Sequence, residues 1–108
     1  MAKNFSKKDM IKLQNLLRKS KKTITTAESC TGGLVASMIT KISGSSDIFN
    51  GSIVTYSNSI KNKELDVLNE SLDKFGAVSK QVVSEMLDGV LKKFEADFAI
   101  AISGVAGP

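Results

Sequence analysis

Three short strand-like segments alternate with amphipathic patterns, and this alternation constrains the fold more than any other feature of the sequence. The strand-like segments cover residues 23–27, 52–56 and 97–102 and are rich in β-branched or apolar residues. Apolar residues at helical spacing precede the first segment and separate the three from one another. Such alternation is typical of helices packed on a mostly parallel sheet. We therefore predict a single α/β domain, a three-layer α/β/α sandwich with a largely parallel sheet.

Capping residues and apolar stripes indicate where the helices and buried faces lie. The residues expected to begin helices are Ser6, Ser57 or Asn58, and Ser79. The stripe of the first helix consists of Met10, Leu13, Leu16 and Leu17. That helix is expected to end in the lysine-rich segment 19–22. The third strand segment is almost continuously apolar, which predicts burial on both of its faces.

The absence of histidine limits the chemistry that this chain of 108 residues supports. It contains no Ser-His-Asp triad, Cys-His pair or histidine metal site, and its single cysteine, Cys30, forms neither an internal disulfide nor a thiolate cluster. Proton transfer therefore falls to Lys, Asp, Glu, Tyr or bound water. The unpaired cysteine, the lack of an apolar run of roughly 20 residues and the lack of a signal-peptide pattern favour a cytoplasmic protein.

The net charge of +4 is concentrated near the N-terminus. Residues 1–22 carry eight Lys or Arg and one acidic residue, whereas the remainder carries seven basic and ten acidic residues. A solvated face of the first helix is the favoured interpretation. The alternative is a nucleic-acid patch, which lacks the aromatic platform expected for binding single strands.

Three loops follow the three predicted strands, at residues 28–33, 56–61 and 103–107. In open α/β sheets, ligands bind at the carboxyl ends of the strands, so parallel strands would bring these loops to one crevice. The glycines of the first and third loops also leave backbone N–H groups available to a phosphate or an oxyanion. The sequence thus predicts one ligand site built from all three loops.

Ser29 and Lys61 are the candidate nucleophile and base of that site. Ser29 lies where a strand passes through glycines into a helix, a corner that lifts a hydroxyl out of the sheet. Lys61 lies in the first turn of a predicted helix, where the helix dipole and partial burial lower the pKa of an amine. The alternatives are that Ser29 or Thr31 only caps the helix, and that Lys61 is an exposed helix lysine.

Three neighbouring residues have competing interpretations. Tyr56, the single tyrosine, either relays a proton or stacks on a ring, or it is a half-buried strand aromatic. Cys30 is a rival nucleophile beside a helix N-terminus, or a small buried residue. Glu28 is expected to cap or orient a neighbour rather than to react.

A series of short motifs runs through residues 23–108. The motifs are Ala27–Gly33, Gly44–Ser46, Phe49, Gly51, Tyr56–Asn58, Lys61, Gly76–Ser79 and Ser103–Pro108. In this order they resemble the C-terminal domain of the competence/damage-inducible protein CinA, a family that includes stand-alone nicotinamide mononucleotide deamidases. The resemblance implies hydrolysis of the nicotinamide carboxamide to nicotinic acid mononucleotide and ammonia, in pyridine nucleotide recycling, by a serine–lysine mechanism without metal or cofactor.

The same resemblance implies roles for individual residues. Ser29 takes the role of nucleophile, Lys61 that of base, and Tyr56 assists at the site. The residues implied to bind the substrate are Glu28, Cys30, Thr31, Gly32, Gly33, Asn58, Ser103, Gly104 and Gly107. Among these, the backbone amides around Thr31, Gly32 and Gly33 are implied as donors to an anion or oxyanion.

The sequence departs from the family pattern at both ends. The family's amino-terminal molybdopterin-binding-like domain is absent, which implies the stand-alone type. The family domain continues beyond Pro108, which implies a C-terminally incomplete sheet with an unpaired edge at the third strand. A non-catalytic nucleotide-binding module is therefore the alternative function. Association between copies of the chain is left open.

Overall fold

A computed structural model describes residues 4–105, which form five helices and three strands. In chain order the elements are α1 (Lys7–Ser20), β1 (Ile24–Glu28), α2 (Leu34–Thr40), a 3₁₀ turn (Ser45–Asp47), β2 (Ile53–Val54), α3 (Asn58–Leu65), α4 (Asn69–Phe75), α5 (Lys80–Phe94) and β3 (Phe98–Ile102). The three predicted strands are confirmed. The second is shorter than predicted because only Ile53 and Val54 pair with β1.

The strands form a parallel sheet in the order β2-β1-β3. Ala27 of the central strand lies opposite Ile53 of β2 and Ala101 of β3. All five residues of β1 are buried. Because the strands are parallel, their carboxyl ends meet at one edge of the sheet, and the loops that follow them meet there too.

Helices cover both faces of the sheet, which confirms the predicted three-layer architecture. On one face, α1 and α2 pack through a cluster that consists of Met10, Leu17, Ile24, Ile39 and Ile48. On the other face, α3, α4 and α5 pack through a cluster that consists of Ala27, Leu65, Val67, Leu72, Val82, Met86 and Val90. Successive strand side chains point to opposite faces, so β1 contributes Ile24 to the first cluster and Ala27 to the second.

The predicted capping residues begin their helices. Ser6, Ser57 and Ser79 each accept a hydrogen bond from the backbone N–H three residues later, at 3.1, 3.3 and 3.2 Å. The Asp9 carboxylate completes the capping box by accepting the Ser6 N–H at 3.0 Å. Ser57 is therefore the cap of α3, and Asn58 is the first residue of that helix.

The predicted stripe of α1 is wrong at Leu16, which is 59% exposed. Gln14 is buried in its place and donates a hydrogen bond from Nε2 to the Ile39 carbonyl at 3.0 Å. Successive helix residues are about 100° apart. Leu16 therefore lies off the stripe that Met10 and Leu17 share, whereas Gln14 falls between them on the buried face.

The prediction that the third strand is buried on both faces is also wrong. Phe98 and Ile100 are 52% and 38% exposed, whereas Ala99 and Ala101 pack against the cluster beneath α5. Within residues 4–105, β3 is an edge strand, and α1 and α2 pack over the central strand instead. The predicted unpaired edge at β3 is thus present in the described part of the chain.

Gly89 allows α5 to pack closely against α3. A methyl group at this position would overlap the backbone carbonyl of Leu65. Gly89→Ala is therefore expected to push the two helices apart and to lower the free energy of unfolding by about 1–3 kcal/mol. Urea unfolding followed by circular dichroism measures this change. Ser84→Ala, at an exposed position of α5, is the control. Equal unfolding midpoints for the two variants would contradict the packing account.

Candidate functional site

The Ser29 hydroxyl and the Lys61 amine meet at the carboxyl edge of the sheet. Lys61 Nζ lies 3.3 Å from Ser29 Oγ. Both residues are buried, with 7% of Ser29 and 2% of Lys61 exposed. The alternative that Lys61 is an exposed helix lysine is therefore wrong. A hydroxyl within hydrogen-bond reach of an amine has the geometry that a nucleophile and its base require.

Local structure accounts for this pairing. The Ser29 N–H donates to the Ile102 carbonyl at 3.0 Å, so the extended chain continues one residue beyond β1. Strand alternation then places the Ser29 side chain on the same face as Ala27, the face covered by α3 and α5. Lys61 lies one helical turn before Leu65, and both are buried on the same side of α3.

Burial lowers the pKa of the Lys61 amine below its ordinary value of 10.5. The ammonium form loses hydration in this environment, whereas the neutral amine loses much less. Cys30 acts electrostatically in the opposite direction and has the smaller effect. Burial therefore shifts the equilibrium of Lys61 toward the uncharged amine, the form that accepts a proton from a hydroxyl.

The Glu28 carboxylate is fully buried at the start of α2 and accepts five hydrogen bonds. The donors are the hydroxyls of Thr26 (3.1 Å) and Thr31 (2.7 Å) and the backbone N–H groups of Gly33 (3.2 Å), Val35 (3.0 Å) and Ala36 (2.9 Å). Burial alone would raise the pKa of this carboxyl, but the hydrogen bonds outweigh burial and hold the pKa below its ordinary range. Glu28 is therefore charged.

The nucleophile loop, residues 29–33, is held by this carboxylate. Neither Ser29 nor Thr31 caps α2, so that alternative is wrong. Gly33 precedes the helix without a side-chain cap, and Glu28 supplies the missing acceptor from the strand. The implied anion donors also change, because the Gly33 N–H is bonded to Glu28 and the Gly32 N–H to the Ser29 carbonyl. Within residues 4–105, the N–H groups of Cys30 and Thr31 have no protein acceptor.

The third loop contacts the nucleophile loop through Gly104. A Cβ at Gly104 would lie 3.2 Å from the Cys30 sulfur, so a side chain at residue 104 would require the Cys30 side chain to shift slightly. Cys30 is a free, partly exposed thiol. Ser103 donates its hydroxyl to the Ala77 carbonyl at 2.7 Å, which joins the end of β3 to the segment before α5. Gly107 lies outside the described residues.

Tyr56 and Asn58 lie in the second loop with their side chains exposed. Tyr56 is 67% exposed, so the interpretation as a half-buried strand aromatic is wrong. Neither side chain forms a hydrogen bond with another described residue. The two residues flank Ser57, the cap of the helix that carries Lys61. They are therefore available to contact a ligand at this edge, and the structure does not place either against Ser29.

One residue of the candidate site, Thr26, was missed in the sequence analysis. Thr26 donates to Glu28 from two residues earlier in β1, on the same strand face. The spacing of two residues between Thr26 and Glu28 was the only indication of this contact in the sequence.

Across residues 4–105, no three His, Cys, Asp or Glu side chains come close enough to hold a metal ion. A separate search of the same residues finds no helix with the length and apolar character needed to cross a membrane.

Comparisons with known proteins find relatives over most of the chain. The model of the CinA C-terminal domain family matches residues 7–108, so the match includes α1. A CinA-like protein of Prochlorococcus marinus (strain MIT 9312) is 60% identical over 92 residues, which cover 85% of this chain and 22% of that protein. A CinA-like protein of Pseudothermotoga lettingae is 50% identical over 93 residues, which cover 86% of this chain and 23% of that protein. The chain thus spans less than a quarter of these curated relatives.

Solved structures agree with the fold. The crystal structure of a competence/damage inducible protein from Agrobacterium tumefaciens has a TM-score of 0.93 at 38% identity. The match covers 100% of this chain and 66% of the Agrobacterium chain. A CinA superfamily protein from Escherichia coli has a TM-score of 0.93 at 34% identity. The match covers 100% of this chain and 63% of the Escherichia coli chain. Together, the family match, the sequence identities and the shared fold show that this chain belongs to the CinA C-terminal domain family.

Proposed function

We propose that this chain carries the nucleophile and base of an amidohydrolase that converts nicotinamide mononucleotide to nicotinic acid mononucleotide and ammonia. The observation that carries the proposal is the 3.3 Å separation between Lys61 Nζ and Ser29 Oγ at a buried position. The resemblance of the surrounding motifs to nicotinamide mononucleotide deamidases supports the choice of substrate. The single free cysteine supports a cytoplasmic setting.

The reaction proceeds through an acyl-enzyme. Uncharged Lys61 takes the proton of Ser29 while Oγ attacks the carboxamide carbon, and the carbonyl electron pair moves to oxygen. The Lys61 ammonium then protonates the amide nitrogen, the C–N bond breaks, and ammonia leaves. In the second half, Lys61 removes a proton from water, which attacks the ester carbon. The same proton returns to Ser29 Oγ as the carboxylic acid product departs.

The proposed oxyanion donors are the N–H groups of Cys30 and Thr31. They directly follow the nucleophile in the chain and have no protein acceptor within residues 4–105. Their availability distinguishes them from the amides of Gly32 and Gly33, which are already bonded. In comparable enzymes, the loss of one such donor raises the barrier by about 2.7–4 kcal/mol.

The second and third loops are proposed to hold the substrate. The Tyr56 ring is exposed at the carboxyl edge of the sheet and offers a surface for the pyridine ring, together with a hydroxyl that assists proton movement. Asn58 offers an amide from the same loop. Gly104, beside Cys30, leaves room for a ligand to approach the backbone.

The test is incubation of the whole chain with nicotinamide mononucleotide, with ammonia and nicotinic acid mononucleotide quantified separately. The proposal expects the two products in equal amounts. Nicotinic acid mononucleotide as the starting compound is the substrate control, because it has no amide to lose. The Asp9→Asn variant, altered at the remote cap of α1, is the protein control and should match the wild type. Release of free nicotinamide, or no turnover at all, would refute the proposed reaction.

A further inference from the structure

We propose that Glu28 is a positioning residue, whose carboxylate sets the reactivity of Ser29 by holding the nucleophile loop without touching the substrate. The inference rests on the proposed role of Ser29 as a nucleophile, but it does not depend on which amide is the substrate. It assigns a function to a fully buried charge that the reaction steps themselves do not use.

The position of Glu28 on the strand separates it from the reacting atoms. Glu28 and Ser29 are consecutive at the end of an extended segment, so their side chains point to opposite faces of the sheet. Glu28 reaches the first turn of α2, and Ser29 reaches Lys61 on α3. With no exposed surface, the Glu28 carboxylate does not reach a ligand and acts on Ser29 through the loop that it holds.

The carboxylate clamps the nucleophile loop between the strand and the helix. It accepts from Thr26 in β1, from Thr31 and Gly33 in the loop, and from Val35 and Ala36 in α2. Hydrogen bonds to a charged acceptor are stronger than neutral ones. Glu28 therefore joins three consecutive segments of the chain through one side chain.

The loop needs such a clamp because its glycines are conformationally free. Gly32 and Gly33 adopt φ values of 60° and 103°. Glycine adopts such values at little energetic cost, and it can change to other values equally easily. Without Glu28, the segment between Ser29 and α2 would lose its fixed acceptor. The Ser29 hydroxyl and the N–H groups of Cys30 and Thr31 would then sample several positions relative to Lys61.

The clamp also determines which N–H groups stay available. Glu28 occupies the N–H groups of Gly33, Val35 and Ala36 at the helix start. A developing oxyanion is thereby directed to Cys30 and Thr31, beside the nucleophile. The carboxylate thus selects the oxyanion donors as well as ordering the loop.

The experiment measures how fast Ser29 reacts with a small alkyl fluorophosphonate, followed by intact-protein mass spectrometry across a range of pH. In this reaction, Ser29 Oγ forms a bond to phosphorus, the P–F bond breaks, fluoride leaves, and the serine proton goes to Lys61. In Glu28→Gln, one carboxylate oxygen is replaced by an NH₂ group. This group cannot accept the hydrogen bonds that the loop and α2 donate to the carboxylate in the wild type. Labelling is expected to slow by about 10–100-fold, as for a misplaced reacting group. The pH midpoint of labelling should stay that of the wild type, because the pKa of Lys61 is shifted by burial and by Cys30 and not by Glu28.

A pair of threonine variants isolates the loop contact. Thr31→Val and Thr26→Val each remove one hydroxyl donor from the same carboxylate, but only Thr31 belongs to the nucleophile loop. Thr31→Val is expected to slow labelling by about fivefold or more, and Thr26→Val by no more than about twofold. Asp9→Asn repeats the carboxylate-to-amide change at the remote start of α1 and should label at the wild-type rate.

The outcomes separate this inference from the proposed substrate. Labelling of wild-type Ser29 without deamidation of nicotinamide mononucleotide would contradict only the substrate, and a slow Glu28→Gln variant would still support the positioning role. Equal labelling of folded Glu28→Gln and wild type, or equal effects of the two threonine variants, would overturn it. No labelling of wild-type Ser29 would overturn both. If Glu28→Gln fails to fold, the threonine pair decides.

Discussion

Replacing Ser29 with alanine is expected to lower kcat/KM for nicotinamide mononucleotide by at least about 10³-fold, because the variant has no atom that can form the acyl-enzyme. The substitution removes one oxygen from a buried site and leaves the backbone hydrogen bond to Ile102 in place. The fold and the affinity for the nucleotide should therefore be retained. Steady-state ammonia release and calorimetric binding of the substrate measure the two quantities separately.

Ser84→Ala is the matched control for this variant. It makes the same chemical change at an exposed position of α5 and should release ammonia at the wild-type rate. Residual activity in Ser29→Ala above one tenth of wild type would show that another group attacks the amide. Cys30 would then be the next candidate, because its thiol is partly exposed and it follows Ser29 directly in the nucleophile loop.

Replacing Lys61 with alanine is expected to lower kcat by about 10²–10⁴-fold, the contribution typical of a general base. Lys61→Arg should be as inactive, because a guanidinium stays protonated and accepts no proton from Ser29. Lys63→Arg, at an exposed position of the same helix, is the control and should leave kcat unchanged. Substantial activity in Lys61→Arg would indicate that Lys61 supplies positive charge rather than a base.

A substitution of Lys61 that abolishes activity should at the same time raise the stability of the folded protein. Burial lowers its pKa in the folded protein, so between that pKa and 10.5 the unfolded chain binds more protons than the folded one. The resulting penalty on folding grows as the pH falls through this window and is constant below it. Lys61→Met removes the penalty, so its Tm should exceed that of the wild type at neutral pH. The difference should shrink as the pH approaches 10.5. A lower Tm for Lys61→Met at neutral pH would contradict this sign.

The fold followed from local signals in the sequence. Capping serines such as Ser57 and Ser79 act within one turn, and strand–helix alternation favours parallel strands, so the loops were expected to converge. Exposure was harder to predict because it depends on distant packing. Phe98 and Ile100 are as apolar as a central strand requires, but β3 lies at the edge of the described sheet.

The candidate site was predictable in its residue types and less so in its contacts. Ser29 and Lys61 are 32 positions apart, and no local pattern sets the distance between them. A lysine in a helix is usually exposed. Only its spacing of four from Leu65 hinted at a buried face. Glu28 was harder still, because it caps α2 from within β1, outside the positions that capping patterns cover.

The state of the Lys61 amine is the physical claim on which the proposed mechanism depends. Labelling the lysine ε-carbons with ¹³C and following their NMR shifts with pH measures it directly, with Lys61→Met used to assign the signal. We predict that Lys61 titrates below the ordinary lysine value of 10.5, because burial disfavours its ammonium form. A Lys61 signal that titrates at or above the ordinary value of 10.5 would contradict the account.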